Sequence, residues 1–366
     1  MTRSARLLLC TLLLFSALLL GGCASIGPGS VSRDRFDYNV ALTDSWKRQV
    51  LLNVVKLRYV EPISFVEVGQ IVAGYTMETG GTLAGTGTYY DRVPSTFKDN
   101  VAVNVGVTSK YTDRPTITYT PMTGKAFLKS VMLPIPVQNI MQNIQSGASA
   151  DILLTTSAAT INGLRNEGVT TAGFRPADGR FLRAVGLLRS LQLAGMLRIN
   201  MHGKNSAEGA VTLGFPKGEL PQEIRTQIDE FKALLGLDPT RNSFHVVAGH
   251  GSDDPGEIAI NCYAIMQILA SLSIRVDVPE ADMKAGRATP GLQTDSTRLN
   301  PLGARIRSGA SEPVEPFTSV RFRGHWFWVD DSDMATKRLF SFILMAFTLT
   351  DDSKHDSQVQ LTVPTQ

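Results

Sequence analysis

The chain has 366 residues, with 43% hydrophobic residues, 19% charged residues and a formal net charge of +3. That balance belongs to a globular protein and excludes a disordered or low-complexity chain. The small charge excess includes Arg3 and Arg6 of the first segment, so the remainder is close to neutral and no nucleic-acid partner is expected. The length allows one large or two medium domains.

Residues 1–23 read MTRSARLLLCTLLLFSALLLGGC. A short basic head precedes a nearly unbroken apolar run from Leu7 to Leu20, the pattern of a secretory signal peptide that takes no part in the fold. The run is too short for a membrane-spanning helix, which needs about 20 apolar residues. Leu20-Gly21-Gly22-Cys23 resembles the lipobox of bacterial lipoproteins. That resemblance implies cleavage before Cys23, diacylglycerol on its thiol and a third acyl chain on the new amino group. Stable anchoring takes two lipid signals, so three chains suffice to hold the body at a membrane. Ala24 follows the cysteine where an aspartate would signal retention, which implies sorting to the outer membrane with the body facing the periplasm. Residues 23–33 then read as the acylated cysteine and a flexible tether. Cys10 leaves with the signal and Cys23 is acylated. Cys262 remains alone, and no intramolecular disulfide is expected.

The body, residues 34–366, has the pattern of an α+β protein: antiparallel sheets with packed amphipathic helices. A division near residue 170 would separate a helix plus β-rich part (34–170) from an α+β part (171–366). Asp44 to Tyr59 has helical spacing, with Asp44 as a candidate N-cap and Pro62 blocking continuation. Residues 65–120 turn rich in Val, Thr, Gly and Tyr. Val101, Val103, Val105 and Val107 fall on one face of a period-two strand. Three to five antiparallel strands are expected here, with Gly80-Gly81 and Gly85 to Gly87 in turns.

Short helices are expected over 123–132 and 137–146, while 151–161 is ambiguous between helix and strand. Asp178 should cap a helix over 179–197. Strands are expected at 198–202 and 210–215, followed by the cleanest amphipathic helix, 221–235, with Gly236 as its stop. Residues 244–248 and 258–260 read as strands and 263–272 as a helix. Residues 284–316 read as a long surface loop or wrapping arm. Then come one strand over 320–329 carrying Trp326 and Trp328, an apolar helix to about residue 350, and a closing strand over 358–363. That C-terminal unit is expected to form one strand–helix–strand piece of the main sheet, with the two tryptophans facing the helix.

No catalytic residue and no cofactor-binding pattern emerges. His245, His250 and Asp253 are the densest group of possible metal ligands or acid–base side chains, but their spacing matches no zinc signature and Gly-Ser-Asp-Asp-Pro-Gly suits an ordinary turn. The Gly80–Gly87 stretch lacks the Lys-Ser or Lys-Thr of a phosphate loop. Arg180, Arg183 and Arg189 do not share one face of their helix. Three further stretches, 114–128, 161–166 and 325–338, resemble an uncharacterised family of bacterial envelope proteins, which implies one evolved unit and no mechanism. Three functions remain open. The leading one is a non-enzymatic interaction or assembly factor, with the membrane (through Cys23) and envelope proteins as partners. The second is a tethered hydrolase or metalloprotein using His245, His250 and Asp253. The third is a subunit of an oligomeric envelope pore or secretion complex, suggested by the strands at 65–120.

Overall fold

The computed structural model describes residues 26–72, 74–87, 101–170, 173–202, 210–289, 291 and 303–350. It is a mixed α+β protein, as expected. The described residues form two compact units, 26–42 with 66–121, and 43–65 with 122–350. The expected signal peptide, Cys23 and the strand over 358–363 lie outside the described residues.

The first helix, α1 (Ile26–Arg58), contributes its first half to one unit and its second half to the other. Residues 26–33, expected as tether, are instead its opening turns. Pro28 is compatible with that position, because first-turn N–H groups have no intrahelical partner. Asp44 is likewise inside the helix rather than at its cap, where its carboxylate accepts from Lys47 Nζ at 2.7 Å.

In the first unit the chain forms a two-stranded ribbon. Strand β1 (Phe65–Val72) pairs with β4 (Thr116–Met122), and β2 (Tyr75–Gly87) pairs antiparallel with β3 (Val101–Asp113). The Arg114 N–H donates to the Gly74 carbonyl at 2.9 Å and links the two pairings. The glycines expected in turns lie inside β2. Their role is cross-strand: Gly80 faces Thr108 and Thr82 faces Gly106. Each threonine hydroxyl donates to the carbonyl of the opposing glycine, at 3.3 and 3.4 Å. A Cβ on Gly106 would come within 2.8 Å of Thr82 Oγ1, so a side chain there would displace the hydroxyl. The Tyr75 hydroxyl donates to the Asp34 carboxylate and ties the ribbon to α1.

The second unit is built around a six-stranded sheet in the order β6-β5-β12-β11-β10-β9. These are β5 (Ala158–Ile161), β6 (Leu164–Arg165), β9 (Arg198–His202), β10 (Ala210–Gly214), β11 (Ser243–Ala248) and β12 (Glu257–Cys262). All named pairings are antiparallel except β11 with β12, where residues 249–256 carry the chain back to start a parallel neighbour. The sheet takes strands from both sides of residue 170, so the boundary expected there is not where the chain divides. A small antiparallel pair, β7 (Gly168–Thr170) and β8 (Gly173–Arg175), follows β6.

Helices α2 (Gly124–Met132), α3 (Val137–Gln145), α4 (Ala150–Ser157), α5 (Gly179–Leu193), α6 (Gln222–Leu235), α7 (Ile265–Ser273) and the short α8 (Glu280–Lys284) belong to the same unit. The ambiguity over 151–161 resolves as both: α4 runs directly into β5. Asp178 caps α5, accepting from the Arg180 N–H at 2.8 Å. Gly236 ends α6 in a left-handed conformation at φ 66°, and Leu237 N–H returns to the Lys232 carbonyl.

The C-terminal region departs most from expectation. Residues 318–329 form two strands, β14 (Thr318–Phe322) and β15 (His325–Val329), joined by Arg323-Gly324, both at positive φ. A two-residue loop of that kind matches the twist of a hairpin. With β13 (Arg307–Gly309) they make a separate sheet of order β13-β15-β14, not a piece of the main one. Phe327 and Val329 are the fully buried residues of β15, and Trp326 and Trp328 occupy its half-buried face. The pleat decides this: two tryptophans at i and i+2 share a face, and the smaller Phe and Val take the other. Part of the expected loop over 284–316 is tied into the core, with Ile306 fully buried and bonded to Arg275 and Asp277.

The last described helix, α9 (Met334–Thr350), buries Leu339, Phe340, Phe342, Ile343, Ala346 and Phe347. It packs against α2 and α7. Phe347 and Trp46 both meet Phe65, at centroid distances of 4.9 and 6.1 Å. The helix is a core element, as its composition predicted.

Candidate functional site

His245, His250 and Asp253 do not converge. His245 lies on β11, in register with Glu257 of the parallel neighbour, while His250 follows the end of β11 and Asp253 lies on the return to β12. All three side chains are exposed. A loop that turns back along the sheet distributes these residues along it instead of gathering them at one end. The loop is held by its own bonds: Ser252 Oγ donates to Glu257 Oε2 at 2.7 Å, and Asp254 Oδ1 accepts from Gly256 N–H at 2.7 Å. Among the described residues no three His, Cys, Asp or Glu side chains are grouped to hold a metal.

The three arginines of α5 are each engaged separately. Arg180 pairs with Asp178, Arg183 makes a two-pronged contact with Glu230 at 2.6 Å, and Arg189 meets Gln192 and Asp151. Cys262 is buried, and burial pushes its thiol up to about 12, so it is not a nucleophile at neutral pH.

The densest buried polar cluster was not legible in the sequence. Glu167 and Arg275 form an ion pair at 2.5 Å with side chains only 2% and 1% exposed. Arg275 also donates to Ser271 Oγ at 3.0 Å. Burial raises the Glu167 carboxyl above its ordinary range despite Arg275, and burial lowers Arg275. Desolvation therefore outweighs the pairing at both ends. The Tyr263 hydroxyl donates to the Glu167 carbonyl, and burial pushes that phenol up to about 12. Glu167 Oε2 and Thr156 Oγ1 are buried without a protein partner. Both residues line a cavity of about 10 Å³, room for one water-sized molecule. Thr155, Thr156 and Leu339 also line an adjoining cleft of about 300 Å³ between α4 and α9, which Asp151 and Arg338 border. A volume near 300 Å³ is the lower end for small-molecule sites. Its lining combines the Asp151 carboxylate, the Arg338 guanidinium and two threonine hydroxyls with Ile152 and Leu339, which makes it a polar recess.

Asn162 carries a further feature. With Gly163 it forms the two-residue, positive-φ turn between β5 and β6. Its amide donates to the carbonyls of Leu235 and Glu257 and accepts from Ala259 N–H at 2.6 Å. The Asn-Gly pair between two short apolar runs is the signal that would have found it.

No family model, no curated protein and no solved structure matches this chain.

Proposed function

We propose that this chain is an outer-membrane lipoprotein, acylated on Cys23 and facing the periplasm, that acts as a non-enzymatic interaction or assembly factor among envelope proteins. The reading is carried by the Leu20–Cys23 string at the end of an apolar run. The geometry of the candidate residues supports it: His245, His250 and Asp253 are spread along a loop whose bonds account for its shape, which weighs against the metalloprotein alternative. The exposed apolar residues of the first unit, Phe36, Val40 and Tyr119, supply surface suited to a partner.

The test is metabolic labelling with a radioactive fatty acid and membrane fractionation. Wild type should label and fractionate with the outer membrane, and Cys23→Ser should do neither. A Cys23→Ser chain that still labels and fractionates there contradicts the reading. His250→Ala should behave as wild type in cells.

A further inference from the structure

Two helix faces of the second unit meet across the cleft of about 300 Å³. On α4, Asp151 and Thr155 are four residues apart, as are Ile152 and Thr156, so all four lie on one side of the helix. On α9, Ala335, Arg338 and Leu339 stand at i, i+3 and i+4 and share a face in the same way.

The charges of this cleft are not spent on each other. Among the described residues the exposed Arg338 has no ion-pair or hydrogen-bond partner. Asp151 is engaged through Oδ1, which accepts from Ser149 Oγ and lies 3.7 Å from Arg189 Nε, and its Oδ2 keeps its accepting capacity. One free guanidinium on α9 and one half-engaged carboxylate on α4 therefore border the same space. A guanidinium fork fits a carboxylate with two parallel bonds, and a carboxylate oxygen accepts from an ammonium. Ile152, Ala335 and Leu339 make the rest of the wall aliphatic. A volume near 300 Å³ restricts the occupant to a small molecule.

A second observation points the same way. Thr156 is 3% exposed, and its hydroxyl has no protein partner. Glu167 Oε2 is in the same position. Both residues line the cavity of about 10 Å³ that shares Thr155, Thr156 and Leu339 with the cleft. The inner end of the cleft thus holds hydrogen-bonding capacity that the fold leaves unused, at a cost that a bound polar group removes.

We propose that this cleft binds a small zwitterion with an aliphatic side chain, a free amino acid or a dipeptide. Its carboxylate sits on Arg338, its ammonium on Asp151 Oδ2, and its side chain against Ile152, Ala335 and Leu339. The proposal is independent of the reading of Cys23, because every residue it uses belongs to the second unit.

The test is calorimetric titration of the full chain, with thermal melting of the same samples. The probes are leucine and leucyl-leucine. Isocaproate, which lacks the ammonium, and isopentylamine, which lacks the carboxylate, are the controls. At least one zwitterion should bind saturably and raise the melting temperature, and which one binds separates a free amino acid from a peptide. The one-charge analogues should bind about 10- to 100-fold more weakly. Arg338→Gln and Asp151→Asn should each weaken the zwitterion by a similar factor. Because Arg338 is exposed, Arg338→Gln should melt like wild type without ligand. If Asp151→Asn loses stability, Arg338→Gln and the two analogues still decide the matter. No saturable heat with either zwitterion at millimolar concentration, equal binding of a one-charge analogue, or undiminished binding by Arg338→Gln overturns the proposal.

Discussion

The six-stranded sheet and the ribbon face the same physical problem, the unpaired backbone at a strand edge, and differ in how they meet it. In the second unit the outer strands are short: β6 has two residues and β9 has five. The interior strands, four to six residues long, are covered by helices, with Phe244, Ala259 and Phe181 fully buried. In the first unit each strand has one paired neighbour among the described residues, the longest strands have 13 residues, and most of β4 is exposed. Isolated two-stranded ribbons are marginal in water, and natural proteins blunt long edges. One unit is therefore completed by its own side chains. The described strands of the other leave long edges without a second neighbour.

The contrast is broken most directly by damaging the self-sufficient core. Phe342 is 4% exposed in α9, and Phe342→Ala should destabilise the second unit by about 3–5 kcal/mol, measured by denaturant unfolding. If Phe342→Ala melts like wild type, α9 is not a core helix. Arg275→Met should cost a similar amount, about 3–5 kcal/mol, by leaving Glu167 buried without its counter-charge. The sign of the pH dependence follows from the raised carboxyl pKa of Glu167 in the folded state. A folded protein that holds this proton more tightly than the unfolded chain is best off below the unfolded pKa. It loses that advantage as pH rises through the folded one. The penalty of Arg275→Met should therefore be smallest in acid and grow toward neutral pH. The double variant Glu167→Met with Arg275→Met should recover most of the loss, since removing both charges also removes the desolvation cost.

How far these differences are legible in sequence depends on whether a residue acts through a repeating pattern or through a single contact. The core helices were readable because apolar spacing repeats: Ile228, Phe231 and Leu235 of α6 are all buried. Asp178 and Gly236 were readable because helix ends have their own chemistry. The glycines of β2 read as turns because Gly usually marks one, while here they lie within a strand, Gly80 opposite Thr108 and the others opposite valines. The single strand expected over 320–329 overlooked Arg323-Gly324, where a non-glycine residue takes positive φ. Glu167 and Arg275 are 108 residues apart, and one acidic and one basic residue at such a distance leave no signature.

Smaller effects sharpen the same comparison. Asn162→Ala removes side-chain bonds to three backbone groups and should cost about 1–3 kcal/mol, again read by denaturant unfolding. A loss near zero would mean that the β5–β6 turn is held by Gly163 alone. Asp178→Ala should cost about 1 kcal/mol through the lost N-cap of α5. Phe36→Ser, on the 74% exposed side chain of the first unit, should leave the unfolding of the second unit unchanged.

Amide hydrogen exchange compares the two units within one sample. In the dispersed monomer, the amides of β11 and β12 should be protected to near the global stability, while the outward-facing amides of β2 and β3 exchange fast. Protection of the outward-facing β2 and β3 amides equal to that of β11 and β12 would contradict the claim that the sheet of the second unit is closed by its own side chains while the ribbon edges stand open.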